Sequence, residues 1–407
     1  MNHPLAPIPL VYSLPFVVLL LCILFLPWLY QRFWNRNLYK AIVVALLSAL
    51  TWHFFGKNYG YAPFRHRFED YFSLLCWISS IYIIAGGIVL RGLKKSSPLL
   101  NTLLLAAGAL IANFIGGIGA TVLMLVPFLR ANQSRQSSNH LIVFFIILVT
   151  NLGAILTPVD YLFAFFFPFY SKTPHSLDAW HLKLLPFWLA SLFYLLVHFY
   201  WLDRLKFKKE NQPIEKLRNL LSNFSLRGIY NFLLLIGAGG AYFFPTPYRE
   251  SLLFTLAGCS LMLTSHELRN ENAFSFKPMV EVAILLFGIS ITAIPVINIL
   301  SSSVPGSSSY FQSFWLSGIS ASLFNKIPAF AAFAQLGTYD FLWYSTIFAA
   351  TALFGTLTYF GNVLNLMVRT MTHGLGLKTP SYIVYLAWAG LALSPILLVI
   401  SIILYLH

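Results

Sequence analysis

The chain has 407 residues, of which 58% are apolar, 17% aromatic and only 9% charged. Soluble globular proteins carry about 25% charged residues, so this composition excludes an ordinary soluble protein and predicts a polytopic membrane protein. The formal charge of +14 does not indicate a nucleic-acid binder, because the Lys and Arg residues lie in short segments between apolar runs. The predicted fold class is therefore an all-α polytopic membrane protein.

The N-terminal half, residues 1–202, contains six apolar stretches. In chain order they are spans at 9–30, 38–55 and 71–91, a stretch at 98–130 that we predict to be a re-entrant helical hairpin, a broken span at 139–170, and a span at 184–202. The hairpin and the broken span are predicted because small and polar residues interrupt them at mid-length. In hydrocarbon, irregular backbone persists only where it is buried in protein or lines a cavity. These interruptions therefore mark a candidate binding site.

The interruptions in this half supply six candidate site residues. A glycine-rich turn exposes backbone amides, and hydroxyl, amide and carboxylate groups can bind ions. Small residues that merely allow close helix packing are the alternative explanation. Asp160 indicates a cation or proton site if it lies within the membrane, or an ordinary loop residue if the span ends earlier. The six candidates are Gly116, Gly119, Thr121, Asn151, Thr157 and Asp160.

Residues 203–227 are predicted to be a basic cytoplasmic linker, followed by a C-terminal half at 228–407 with the same order of features. Its predicted stretches are 228–244, 251–265, 280–300, a second hairpin at 310–337, a broken span at 340–373 and a last span at 382–406. Interrupted segments at corresponding places in two halves point to a secondary transporter built as an inverted repeat. The whole chain is then expected to cross the membrane about 10 times.

The interruptions in the second half supply the remaining candidates, which are Asn325, Lys326, Pro328, Gly361, Asn362 and Asn365. Amide side chains both donate and accept hydrogen bonds, so they do not decide the sign of a bound ion. Lys326 either extends to the outer surface or is held inside the site, where burial would make its proton labile. Glu281, which opens its span, is equally consistent with a helix-start residue and with a proton carrier.

The distribution of Lys and Arg predicts the orientation. If the loop after the first span is cytoplasmic, 19 of the 26 basic residues fall on that side and 6 on the other, with Lys326 inside the membrane. This asymmetry follows the positive-inside rule. It requires the first hairpin to enter from the cytoplasm and the second from outside, as an inverted repeat does.

Three stretches carry a resemblance to a known family. They are PFLRANQSRQSSNHLIVFFIILVTNLGAILTPVD, FKPMVEVAILLFGISITAIP and YFGNVLNLMVRTMTHGLGLKTPSYIVYL. They are similar to the corresponding parts of bacterial sodium/proton antiporter-like proteins, in the superfamily that includes arsenite pumps and citrate and dicarboxylate carriers. The resemblance implies paired hairpins, unwound helices, alternating access, a homodimer and a place in the bacterial inner membrane. By position it implies a functional role for all of the candidates above except Lys326. Relatives usually carry an Asp-Asn-Ala-Pro run at the second hairpin, and here the stretch Phe324-Asn325-Lys326-Ile327-Pro328 lacks the acid and gains a lysine. Asp160 alone remains of a Gly-Asp-Pro-Pro run.

The leading functional hypothesis is a cation/proton antiporter, with sodium as the candidate transported ion. A carrier of small organic anions such as citrate or dicarboxylates is the alternative, because helix N-termini and Lys326 favour negative charge. A lipid-modifying membrane enzyme is a third class. It would need clustered carboxylates for a metal or a His with an acid partner, and neither is evident in the sequence. We therefore expect no enzyme activity and no bound cofactor.

Overall fold

The computed structural model describes residues 8–93, 95–157, 177–210, 225–303, 309–334, 336 and 341–406. Regular structure in these residues is helical except for two three-residue strands. The helices arise where the apolar runs are long and uninterrupted. Proline in the first turn fixes the start of several of them, and the Ser97 hydroxyl caps the helix that follows it.

The first part of the chain has the following elements. They are α1 (Leu14–Leu29), α2 (Gln31–Trp34), α3 (Asn37–Tyr59), α4 (Ala62–Ala85), β1 (Val89–Arg91), α5 (Pro98–Ala131), α6 (Asn139–Phe145), a π-helical segment (Ile146–Asn151), a 3₁₀ turn (Leu152–Ala154) and α7 (Leu177–Lys209).

The second part of the chain is also mostly helical. Its elements are β2 (Ser225–Arg227), α8 (Tyr230–Gly240), α9 (Tyr248–Leu263), α10 (His266–Glu271), α11 (Lys277–Thr292), α12 (Ile294–Ser303), α13 (Tyr310–Phe324), α14 (Lys326–Ala334), α15 (Phe341–Phe354), α16 (Val363–Gly374) and α17 (Tyr382–Leu406). Residues 355–362, between α15 and α16, are not helical.

Helix α5 folds back on itself at Gly116, whose φ of 72° and ψ of 164° interrupt the helix at mid-length. The two ends of α5 lie side by side, because the amide groups of Asn101 and Asn132 exchange hydrogen bonds of 2.9 and 2.8 Å. A straight helix of this length would instead hold its ends roughly 50 Å apart. A left-handed φ is accessible to glycine without steric penalty, which explains why the chain turns at this residue.

The interior is formed where interrupted and uninterrupted helices meet. Helix α11 packs against α3, α4 and α16, while α5 packs against the π-helical segment, α4 and α7. Large apolar side chains of the peripheral helices remain exposed, for example Phe193 on α7, Met262 on α9 and Ile383 on α17. An exposed apolar surface of this extent is stable in contact with lipid rather than water.

A buried polar network joins the ends of α5, α6 and α7. Asp203 accepts a hydrogen bond from Arg135 at 2.7 Å and lies 2.9 Å from His140 Nε2, and its second oxygen accepts from Asn101 at 2.9 Å. Arg135 also pairs with Glu210 at 2.8 Å. A buried carboxylate is tolerated only when it is paired and hydrogen-bonded, so this network ties the C-terminal end of α7 to the two paired ends of α5 and to the start of α6.

Several predicted boundaries differ from the structure. The predicted span at 71–91 is α4, which begins nine residues earlier and ends at Ala85, and β1 follows it, paired antiparallel with β2. The predicted linker 203–227 is shortened from both sides, because α7 continues to Lys209 and β2 occupies its end. The first turns of α4 and the last turns of α7 contain charged residues, which lower the local hydropathy. The predicted start of α4 is therefore too late, and the predicted end of α7 is too early. Residues 211–224 lie outside the described part of the chain.

Among the described residues, six helices are long and apolar enough to cross a membrane by length and composition alone, or seven when α11 and α12, bent by 49° relative to each other, count as one span. The six include α5, although it folds back at Gly116. The expected number was about 10. The difference arises because α8, α15 and the irregular helix at Asn139–Ala154 are apolar but short. The chain is a multi-pass membrane protein.

Candidate functional site

Hydroxyl and backbone contacts join the fold-back of α5 to the irregular segment after α6. The hydroxyl oxygens of Thr121 and Thr150 are 2.8 Å apart, and both residues are buried. Gly117 lies so close to the Thr150 carbonyl that an added Cβ would stand 2.4 Å from its oxygen. The Thr157 hydroxyl donates to the Asn113 carbonyl at 2.7 Å. The two interrupted segments of the N-terminal half therefore contact each other at their breaks.

Three asparagine side chains connect this region to the second half of the chain. Asn151 ends the π-helical segment, and its Nδ2 donates to Asn365 Oδ1 at 2.9 Å. Asn362 Nδ2 donates to Asn151 Oδ1 at 2.6 Å. All three residues are at least 95% buried. These three residues, here called the asparagine cluster, link breaks that are more than 200 residues apart in the sequence.

The non-helical backbone before α16 is satisfied by the same side chains. Asn365 Nδ2 donates to the carbonyls of Gly355 at 3.2 Å and Thr358 at 2.8 Å. Asn362 Oδ1 accepts from the Leu364 N–H at 3.0 Å and so caps the N-terminus of α16. Backbone groups released from a helix inside a membrane protein need such partners. The cluster therefore supports an unwound segment as well as lining it.

The break between α13 and α14 contacts the same unwound segment. Asn325 has a φ of 77°, and its Nδ2 donates to the Phe360 carbonyl at 3.1 Å. The Lys326 N–H donates to the Gly361 carbonyl at 2.9 Å. An added Cβ at Gly361 would stand 2.5 Å from the Gly355 oxygen, so this approach of two backbones requires glycine. As a result, the N-termini of α14 and α16 lie next to each other at the asparagine cluster.

The structure thus brings together most of the residues that the sequence singled out. Asn151, Asn362 and Asn365 form the cluster, while Asn325, Lys326 and Gly361 adjoin it. Lys326 is only 2% exposed, so it does not extend to the surface here. Thr121 contacts Thr150, which directly precedes Asn151 in the chain, and Thr157 donates to the Asn113 carbonyl of α5.

The other four candidates have different positions. Gly116 forms the turn of α5, and Gly119 packs against Ile115, whose side chain would lie 3.0 Å from an added Cβ. Pro328 lines a narrow cleft that also contains Arg67 and Asp70. Asp160 lies outside the described residues.

Two residues at the breaks were not selected from the sequence. Thr150 contacts Thr121, and the Thr358 hydroxyl donates to the Ser322 carbonyl at 2.7 Å and accepts from the Gly361 N–H at 2.8 Å. Both stand within the interrupted stretches, directly beside or near selected asparagines. In the sequence, Thr150 and Thr358 could have been identified as hydroxyl residues that stand within or next to a predicted break.

A cavity of about 480 Å³ lies at the other end of α16. Leu366, Arg369, Thr370 and His373 line it from α16, which begins at the asparagine cluster. Because Leu366 directly follows Asn365, the cavity wall begins next to the cluster in the chain. Helix α16 therefore connects the cavity with the unwound segment.

A buried ion pair stands in the wall of this cavity. Lys40 Nζ of α3 is 2.5 Å from Glu281 Oε1 of α11, and the two side chains are 3% and 10% exposed. The second oxygen of Glu281 accepts from the Thr370 hydroxyl at 2.8 Å. Glu281 is therefore not a solvated helix-start residue: it joins α3, α11 and α16 beside the cavity.

The fold and these contacts define a class of protein. Helices that cross a membrane and are interrupted at mid-length around a buried polar cluster, with a cavity beside one of the interrupted helices, are characteristic of membrane transporters. A family model described as "Putative citrate transport" matches residues 5–405. The chain belongs to this family, a citrate-transporter-like family of ion transporters. No curated protein matches the chain. Membership favours transport over the lipid-modifying enzyme considered from the sequence.

Proposed function

We propose that this protein is a secondary active transporter that carries a small carboxylate anion of the citrate class across the membrane. One observation carries the choice of an anion. The N-termini of α14 and α16, together with buried Lys326, converge on the asparagine cluster. Helix N-termini are the positive ends of helix dipoles, and they favour a negatively charged ligand. Amide N–H groups of asparagine supply further donors for carboxylate oxygens.

The proposed architecture is an inverted repeat of two halves. Helix α5, with its two ends side by side, would be a re-entrant hairpin entering from the cytoplasmic side, and α13–α14 its counterpart entering from outside. The irregular helix after α6 and the α15–α16 pair would be the two broken spans. Counted with the short helices, this arrangement gives about 10 crossings. A homodimer in the bacterial inner membrane belongs to the same proposal.

Alternating access would then be a movement of the two hairpins about the asparagine cluster. The asparagine side chains of the two halves are joined by hydrogen bonds, and such bonds can be exchanged for bonds with a ligand. Lys326, buried at the start of α14, would be the residue that couples this movement to protons.

Cation/proton antiport is the second candidate, and one observation favours it. The carbonyls of Gly355 and Thr358 and the amide oxygens of the cluster gather at an unwound segment, and oxygen ligands of this kind suit a sodium ion. Under this alternative, sodium rather than a carboxylate would occupy the cluster.

The deciding experiment is transport by the purified full chain in proteoliposomes, with citrate, sodium and proton gradients imposed in turn. The proposal expects accumulation of citrate or a smaller carboxylate. Asn362→Asp adds a negative charge at the cluster, so carboxylate uptake should fall more than it does in Asn362→Ala. If sodium drives proton movement without any carboxylate, and Asn362→Asp keeps that activity, the antiporter is correct and the anion carrier is wrong.

A further inference from the structure

Arg369 occupies an aromatic corner in the wall of the 480 Å³ cavity. Its guanidinium carbon lies 5.3 Å from the ring centre of Tyr359 and 4.4 Å from that of Tyr382. The two rings are themselves packed edge to face at 5.4 Å. Both hydroxyls donate to backbone carbonyls, of Pro380 and Ile23, at 3.2 Å. Each ring is therefore fixed by the hydrogen bond of its hydroxyl as well as by its packing against the other ring. Together the two rings hold the guanidinium plane in place.

The charge of Arg369 is not balanced by a carboxylate in the described part of the chain. Lys40, in the same cavity wall, is neutralised by Glu281, whereas no ion pair is formed by Arg369 with a described residue. Its Nε is buried and has no hydrogen-bond partner among those residues. Leaving a buried donor unsatisfied is unfavourable unless a ligand or water completes it. Lys277, on the cavity rim, adds a second positive charge.

We propose that Arg369 forms a second carboxylate-binding site, separate from the asparagine cluster, at which the transported anion is held before or after it reaches the cluster. The planar guanidinium fork matches the two oxygens of a carboxylate. One N–H group of Arg369 interacts with the Tyr382 hydroxyl oxygen, and stacking on the aromatic rings leaves further N–H groups for a ligand. The cavity volume lies in the usual range of small-molecule sites, about 300–1,000 Å³. Arg369 stands four residues after Asn365, which is about 6 Å along the axis of α16.

This inference rests on the proposed function, because it takes a carboxylate as the cargo. It assigns Arg369 a binding role that differs from that of Lys40 and Glu281, which neutralise each other in the same wall. It also predicts that the geometry of the donor matters: the planar fork of Arg369 can bind a carboxylate through two parallel hydrogen bonds, whereas a point charge such as a lysine ammonium cannot.

The test is equilibrium binding to the purified full chain in detergent, measured by calorimetry with citrate, succinate and inorganic phosphate as probes. Arg369→Gln should weaken citrate and succinate binding about ten- to a hundredfold, the usual effect of losing a charge-assisted hydrogen bond. Arg369→Lys keeps the charge but not the fork, so it should fall between Arg369→Gln and the native chain. Arg65→Gln, at an exposed residue, changes the net charge equally and should bind as the native chain does.

Native carboxylate affinity in both Arg369 variants would overturn the inference, and the proposed function would stand if the native chain still transports carboxylate. Arg369-dependent binding without any carboxylate transport in proteoliposomes would instead defeat the proposed function while supporting this site. Phosphate binding as tight as citrate binding, and equally dependent on Arg369, would overturn the carboxylate assignment. If Arg369→Gln does not fold, the Arg369→Lys measurement decides.

Discussion

In the asparagine cluster, neutral amide groups that bond to one another stand where a buried site could instead have used ionised groups. Each amide both donates and accepts, so Asn151, Asn362 and Asn365 can bond to one another and to the unwound backbone without an ionised group. A carboxylate at the same depth would need a counter-ion or a proton. The cluster can therefore bind a charged ligand without first having to separate an ion pair of its own.

Removing any one of these amides should weaken ligand binding. Asn151→Ala, Asn362→Ala and Asn365→Ala each leave a buried partner unsatisfied, which costs about 1–3 kcal/mol, or roughly ten- to a hundredfold in affinity. The expected result is a raised KM for uptake in proteoliposomes with nearly normal amounts of folded protein in the membrane. Asn270→Ala, at an exposed residue, is the matched control. Normal uptake by all three variants would place the site elsewhere.

The buried pair of Lys40 and Glu281 makes a different prediction, about stability. Replacing one partner leaves an unpaired charge in the interior, which typically costs about 3–5 kcal/mol, whereas replacing both by apolar residues is often neutral. Lys40→Met should therefore lower the thermal unfolding temperature of the purified protein in detergent. The double variant Lys40→Met with Glu281→Met should recover most of the loss. A double variant that is no more stable than Lys40→Met would show that the pair contributes through packing, not charge.

At the scale of elements, the interruptions could be predicted from the sequence because they follow local rules. Glycine-rich and polar runs inside apolar stretches marked the turn at Gly116, the π-helical end at Asn151 and the break at Asn325. The contacts that join the two halves at these breaks could not be predicted, since they link residues more than 200 positions apart. The pairing of β1 with β2 was missed for another reason: each strand has only three residues.

The surroundings of Arg369 could not be predicted from the sequence. From the sequence, Arg369 was counted among the basic residues that predict the membrane orientation. Nothing in the sequence of a helix distinguishes a charged residue in a loop from a charged residue that lines a cavity. Its stacking partners, Tyr359 and Tyr382, come from the unwound segment and from α17. Lys40 was counted in the same way and is buried against Glu281. Charge counting assigned both residues to the same side of the membrane, and both line the same cavity, but it gave no indication of that cavity.

The contact between α5 and the π-helical segment depends on the absence of a side chain at Gly117. Gly117→Ala would place a methyl group 2.4 Å from the Thr150 carbonyl oxygen, so one of the two backbones must move. Overpacking of this kind costs about 1–3 kcal/mol. We expect a lower thermal unfolding temperature together with reduced uptake, because the displaced carbonyl adjoins Asn151.

The matched control for this change is Gly258→Ala on α9, where an added Cβ meets nothing within 4 Å. Alanine is favoured over glycine within a helix by about 1 kcal/mol, so this variant should be at least as stable as the native chain and should transport normally. Equal behaviour of the two variants would show that the close approach at Gly117 is unimportant.

For the whole molecule, the orientation follows from charge. The basic residues predicted to be cytoplasmic include those at the cavity end of α16, and the rim of the cavity carries Lys277. The cavity would accordingly open to the cytoplasm, whereas the break between α13 and α14 would lie towards the outside, near the narrow cleft lined by Arg67 and Pro328. With a wide cavity at one end and a narrow cleft at the other, the proposed transporter would be inward-facing under this orientation.

This orientation can be tested with single cysteines at two exposed serines, Ser225 in β2 and Ser302 near the end of α12. The background has Cys22, Cys76 and Cys259 replaced by alanine, since all three are free thiols. In intact cells, a membrane-impermeant maleimide should label Ser302→Cys and leave Ser225→Cys unlabelled. After permeabilisation both should react, which controls for accessibility. Equal labelling in intact cells would place both serines on one side, and the two halves could then not be inverted relative to each other, because the predicted opposite entrances of α5 and α13–α14 depend on this difference.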